Sequence, residues 1–196
     1  MGLKSILKKL RIAEKEIRIL VLGLEGSGKT TLVDSLINIH TDRKERDAHF
    51  TPSSTNGFEI KTLEFNEFSL HFWDIGGSDD NKQFWSNYYD STNILIWAID
   101  SFDVNKFEQS KAELEAVLQN QALLETPLLI VATKQDCEFH AAFPDFIRDL
   151  EINVGDRRWT AIASASQGIQ RRKLKTELER GIEWIIDDFV TNTMNK

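Results

Sequence analysis

The stretch GLEGSGKT, Gly23 to Thr30, fits the pattern G-x-x-x-x-G-K-[ST], and its chemistry is that of a phosphate cradle. Glycines at 23, 26 and 28 let the backbone of Gly23, Leu24, Glu25, Gly26, Ser27 and Gly28 curl so that N–H groups converge on an anion. A helix opening at this point, through Thr31, adds its positive dipole end. Lys29 supplies a point charge for the outer phosphates, and the Thr30 hydroxyl suits a Mg²⁺ shell. Kinases, ATPases and GTPases all use this loop, so it identifies a nucleotide binder and no more.

Two further stretches narrow the chemistry. In WDIGG, Asp74 ends a strand and is placed to hold Mg²⁺ through a water, while Gly76 and Gly77 can bring a backbone N–H to a terminal phosphate. In TKQD, Asp136 can accept two hydrogen bonds from guanine N1–H and N2–H₂, which adenine does not offer, and the Lys134 stem can cover the base. Thr133 leads that segment, and Ser164 with Ala165 ends the next strand, where a backbone N–H can meet guanine O6. Four residues such as TKQD recur by chance; in order behind the cradle and Asp74 they specify guanine.

These residues need a scaffold that presents strand ends. IRILVLGL from Ile17, NILIWAID and PLLIVAT are short apolar runs, the signature of strands buried on both faces. Helical spacing follows over 28–38 and 104–121, with a closing helix over 170–190 and a weaker strand within RRWTAIASAS. GFEIKTLEF and SLHFWDI alternate across the turn-like Asn66–Glu67 and predict a hairpin. Residues 40–54 are polar and charged and predict a long loop. Strands alternating with helices predict an α/β domain with a mostly parallel sheet covered on both faces. Ahead of it, Leu3, Ile6, Leu7 and Leu10 line one face of a short basic helix over 1–12, which can meet a membrane surface or a groove of its own domain.

The chain has 196 residues, a net charge of −7 and one cysteine. That length suits one domain with its own core, and the acidic balance argues against nucleic acid as a partner. A lone Cys137 fits a reducing compartment, and no apolar run reaches membrane-spanning length, so a cytoplasmic protein is expected. Neither a secretory leader nor a C-terminal prenylation cysteine is read from the ends.

Taken together, ILVLGLEGSGKTTL, GFEIKTLEF, WDIGG, FWSNYY, NILIWAIDS and KQD resemble, in order, segments of the Arf-like branch of the small GTPases. The resemblance covers essentially the whole chain. It implies a P-loop small-GTPase fold with a mixed six-stranded sheet, and a GTP/GDP switch using Mg²⁺. The G domain then spans 13–196, with P-loop 23–30, switch I about 40–57, interswitch 57–75 and switch II 74–90. Thr55 looks like the switch threonine that joins Mg²⁺ when a γ-phosphate is present. Phe58, Trp73 and Tyr88 match an aromatic trio that effectors contact, though each also fits plain core. The interswitch of this family slides on GTP binding and ejects the N-terminal helix. The opening MGLKSILKKL resembles a non-myristoylated branch that releases lipidated cargo from carrier proteins and is linked to cilia and tubulin biogenesis. An exchange factor and a GTPase-activating protein are implied as partners.

The chain departs from that pattern at telling places. Where the family has a water-orienting glutamine after Gly-Gly, Ser78 stands, too short for the task; Gly77, Ser78 and Lys29 therefore make up a catalytic group lacking its aiming member. Thr133 replaces an asparagine, Ser54 replaces a proline, the loop before Thr55 is longer, and the charged stretch RRKLKTELER is expanded ahead of the last helix. The expectation is a switch with very slow intrinsic hydrolysis. Two other readings stand beside it: a pseudo-GTPase scaffold indifferent to nucleotide, and a P-loop nucleoside kinase.

Overall fold

A computed structural model describes residues 16–40, 55–137, 142–166 and 174–194. The expected helix over 1–12, nearly all of the loop over 40–54, and residues 171–173 of the charged stretch lie outside these.

Among the described residues, six strands and five helices follow in the order β1 (Glu16–Leu22), α1 (Lys29–His40), β2 (Phe58–Phe65), β3 (Phe68–Ile75), the four-residue α2 (Asp79–Lys82), β4 (Ile94–Asp100), α3 (Val104–Leu118), β5 (Leu128–Thr133), α4 (Phe143–Leu150), β6 (Trp159–Ala163) and α5 (Lys175–Met194). The strands form one sheet in the order β2-β3-β1-β4-β5-β6. Every pairing is parallel except β2 with β3, which form the expected hairpin. The small-GTPase fold with its mixed, mostly parallel sheet is thus as the sequence leads one to expect.

The alternation of side chains explains why β4 and β5 read as unbroken apolar runs. Ile17, Ile19 and Val21, with Ile94, Ile96 and Ala98, face one layer, where they meet Leu32, Val33 and Leu36 of α1 and Leu178, Ile182 and Ile185 of α5. Leu20 and Leu22, with Leu95, Trp97 and Ile99, face the other, against Leu114, Val117 and Leu118 of α3 and Phe146 and Leu150 of α4. Each fully buried Leu or Ile contributes roughly 1.5–3 kcal/mol. β2, at the sheet edge, keeps only Leu63 buried, and Glu59, Lys61 and Glu64 guard the edge against further pairing.

One helix was not expected and two expectations are corrected. α4 was not legible in the sequence: it has only two turns, begins at a proline-bearing N-terminus, and ends at Glu151 in a left-handed conformation. The charged stretch does not lie wholly ahead of the last helix, because Lys175–Arg180 form the first turns of α5. The helix predicted over 104–121 stops at Leu118, and Gln121–Leu123 form a separate short 3₁₀ turn. Arg157 closes that region by donating to the carbonyls of Leu118, Leu123, Thr126 and Val154.

α5 lies on the sheet where Gly181 leaves no side chain: a Cβ there would come within 2.8 Å of Ile162 Cδ1. Gly181→Val is expected to lower unfolding stability in urea by about 1–3 kcal/mol, the usual range for overpacking. An unchanged midpoint would show that α5 is free to shift.

Candidate nucleotide-binding site

β1 ends at Leu22 and the chain turns sharply into the cradle, with Gly23, Gly26 and Gly28 at φ of 146°, 77° and 84°. A side chain at Gly23 would strike the carbonyl of Ala98 on β4, so the turn lies flat on the sheet. The α1 hydrogen-bond ladder starts with Leu32 N–H donating to Gly28 O at 2.8 Å. Lys29 is buried and folds back over the loop, its Nζ donating to Gly23 O and Leu24 O at 2.9 Å each. Burial pushes its pKa down to about 8, against the pull of Asp74 and Glu25. Only two of three ammonium donors have partners among the described residues, which leaves one for an anion.

The sheet register brings Asp74 to the cradle, since Asp74 on β3 pairs with Val21 near the end of β1. Its carboxyl is fully buried. Thr30 Oγ1 donates to Asp74 Oδ2 at 2.5 Å and lies 2.9 Å from Thr55 Oγ1. With its only proton given to Asp74, Thr30 accepts from Thr55. Asp74 Oδ1 has no hydrogen-bond partner among the described residues. Burial raises the Asp74 pKa, and the Thr30 hydrogen bond and Lys29 oppose the rise. A buried, half-satisfied carboxylate beside two hydroxyls is a set of hard oxygen donors, and these residues fit a small divalent cation. No cluster of three or more His, Cys, Asp or Glu occurs among the described residues, so phosphate or water would complete such a shell.

Gly77 lies directly on the cradle. A Cβ there would sit 2.5 Å from the Leu24 carbonyl carbon and 2.6 Å from Glu25 N, besides striking Gly23 O, and all three are backbone atoms that cannot yield. Trp85 Nε1 holds the preceding residue through Gly76 O at 2.9 Å. Ser78 follows in an extended conformation (φ −68°, ψ 159°) at the head of α2, and its Oγ accepts from Asn81 Nδ2 at 2.8 Å.

The segments proposed to hold the base converge on the same strand ends. Thr133 Oγ1 lies 2.7 Å from Ser27 O and 3.0 Å from Ile99 O, so the hydroxyl in place of asparagine ties the cradle to β4 and β5. Lys134, at φ 59°, pairs with Asp100 at 2.6 Å, and Asp136 Oδ2 accepts from Ser166 Oγ at 3.0 Å. Ser164 and Ala165 are buried beside them, with Gln135 N–H donating to Ser164 O at 3.1 Å. Thr31 is half-buried in α1.

Phe58, Trp73 and Tyr88 meet on the outer surface, with Phe58 stacked 5.8 Å from Trp73 and 5.5 Å from Tyr88. Trp73 and Tyr88 also pack against the α3-side core, while Phe58 is 49% exposed, so the plain-core reading fails for Phe58 alone. Arg18 was not singled out in the sequence, yet its guanidinium lies 3.9 Å over the Trp73 ring and donates to Tyr88 O. Neither Arg18 nor Asn81 belongs to a motif; a cationic or amide side chain facing a residue 70 or 26 positions away leaves no local pattern.

A glycine-rich loop between β1 and α1, a threonine beside a buried aspartate and the TKQD segment at the strand ends are the make-up of a P-loop protein of the small-GTPase class. The model of the ADP-ribosylation factor family matches residues 3–189, and the chain belongs to that family of GTP-binding switches, whose members interact with effectors, exchange factors and activating proteins. It is 39% identical over 188 residues to ADP-ribosylation factor-like protein 3 of Chlamydomonas reinhardtii, covering 95% of this chain and 98% of that one. It is 34% identical over 193 residues to ADP-ribosylation factor-like protein 2 of Dictyostelium discoideum, covering 97% of each. Among solved structures, the Arl6 BBS3 small GTPase of Trypanosoma brucei, bound to the nucleotide analogue GppNp, shares the fold with a TM-score of 0.73 at 23% identity, over 90% of this chain and 98% of that one. The nucleoside-kinase reading is thereby set aside.

Gly77→Ala must push residues 76–78 off the cradle. It is expected to weaken binding of a non-hydrolysable GTP analogue at least about ten-fold in calorimetry, with GDP affinity altered less than about three-fold. Equal losses for both would show that Gly77 supports the cradle as a whole and not the γ-phosphate side.

Proposed function

We propose that this protein is a Mg²⁺-dependent guanine-nucleotide switch that recruits effectors in its GTP state and hydrolyses GTP very slowly. The observation that carries the reading is the convergence of half-buried Thr30 and Thr55 on the buried, half-satisfied Asp74. Thr30 and Thr55 would hold the metal directly and Asp74 through a water; when bound, the ion neutralises charge between the β- and γ-phosphates. The cradle amides and Lys29 hold the phosphates, Lys134 covers the base, and Asp136 selects guanine. A scaffold indifferent to nucleotide has no use for such a cluster.

The slow rate follows from what stands at the end of β3. Small GTPases with every part in place turn over at about 10⁻⁴ s⁻¹ unaided. Ser78 carries no group long enough to aim a water, and its hydroxyl is engaged by Asn81. Loss of the aiming group is worth a factor of roughly ten or more, about 1–2 kcal/mol of barrier. An activating partner can supply the missing group.

Effectors are proposed to dock on Phe58, Trp73 and Tyr88, with exposed Ile60 opposite Trp73 in the hairpin. Likeness to ADP-ribosylation factor-like proteins 2 and 3, with the opening MGLKSILKKL, supports a role in releasing lipidated or ciliary cargo from carrier proteins. The basic segment over 1–12, whose spacing predicts a helix, would give weak membrane contact; no described helix is long and apolar enough to cross a bilayer.

Single-turnover hydrolysis on GTP-loaded protein tests the rate. The parent is expected to fall below about 10⁻⁴ s⁻¹, and Ser78→Gln to raise it about ten-fold. No rise in the variant would mean that Ser78 is not what limits the chemistry.

A further inference from the structure

Beyond its bond to Ser78, the side chain of Asn81 makes two contacts for which the switch reading has no use. It stands on α2, half-buried, and reaches across to the segment that carries Thr55. Its Nδ2 donates to Thr55 O at 3.4 Å and to Ser78 Oγ at 2.8 Å, and its Oδ1 accepts from Gly57 N–H at 3.3 Å. The amide orientation is dictated by its partners: Thr55 O can only accept and Gly57 N–H can only donate. An acceptor carbonyl at one residue and a donor N–H two residues on is the pattern a neighbouring strand reads across a parallel ladder. The Asn81 carboxamide thus acts as a one-residue strand partner for 55–57. It fills the space over Gly76, where a side chain would collide with it and with Thr55 O. From the other side, Gly76 N–H donates to Gly57 O at 2.8 Å.

Thr55 therefore stands 2.9 Å from Thr30 with its backbone pinned by a side chain of switch II. We propose that Asn81 is a positioning residue that latches Thr55–Gly57 in the arrangement that sets Thr55 beside Thr30, and so sets how strongly the protein prefers GTP over GDP. The inference rests on the site being a guanine-nucleotide switch. A ligand that needs the closed arrangement binds in proportion to the fraction of molecules already closed, whereas one that ignores Thr55 is unaffected. The latch raises the first affinity and leaves the second alone.

The test compares the parent with Asn81→Leu, which keeps the branched shape without the amide, and Asn81→Asp, which sets a carboxylate oxygen against Thr55 O. Calorimetry with Mg²⁺ gives affinities for GDP and for a non-hydrolysable GTP analogue. Both variants are expected to lose roughly ten-fold in analogue affinity, the scale of one or two net hydrogen bonds, with GDP affinity kept within about two-fold. A ratio within two-fold of the parent's in both variants overturns the latch. Amide hydrogen exchange of the parent bound to Mg²⁺ and the GTP analogue supplies a readout free of substitution. The Gly57 amide is expected to be protected there, and exchange as fast as an open loop also overturns the proposal. A parent that binds neither guanine nucleotide sinks the switch reading itself, an outcome distinct from a parent that binds both and variants that keep its ratio.

Discussion

A fully buried carboxylate with one oxygen unpartnered among the described residues is costly, and the arrangement around Asp74 answers that cost. Lys29 stands near enough to oppose the rise in its pKa, and Thr30 donates its only proton to it. Asp74 reaches this place because β3 pairs with β1 in a register that sets it beside Val21, where β1 gives way to the cradle. From that register follow the closeness of Gly77 to Leu24 and Glu25, and the path of the chain into α2. The buried acid, the glycine-lined approach and the phosphate loop are one construction, and its oxygen donors are of the hard kind that suits a small divalent cation.

The same hairpin links the phosphate side to the outer surface. β2 carries Phe58 and, just before it, Gly57 and Thr55; β3 carries Trp73 next to Asp74. A shift in the β2–β3 register would move Thr55 relative to Thr30 and Phe58 relative to Trp73 together. Arg18 on β1, stacked over Trp73 and bonded to Tyr88, ties the aromatic trio to β1. The oxygen cluster and the exposed ring surface are thus two ends of one element.

Much of this was legible in the sequence because it is local or periodic. The buried runs of β1, β4 and β5, the glycines of the cradle and the alternating hairpin each declare themselves within ten residues. The site residues of GLEGSGKT, WDIGG and TKQD could be placed because such motifs need a strand before them and the sheet supplies it. What escaped is held by long-range polar contacts: Arg157 on four carbonyls, Arg18 on Trp73 and Asn81 on Thr55. The eight-residue α4 escaped for another reason, since two turns give a 3.6-residue period too little room to show. Ser78 was conspicuous as a missing glutamine, whereas its bond to Asn81 depends on the short α2 turn that brings the two side chains together.

The central claim is that this site holds guanine nucleotide and keeps its γ-phosphate for long periods. Denaturing freshly purified protein and separating the released nucleotide by chromatography tests it most directly. Guanine nucleotide with a substantial GTP fraction is the result expected; adenine nucleotide, or GDP alone from protein that also clears added GTP at ordinary small-GTPase rates, would contradict it.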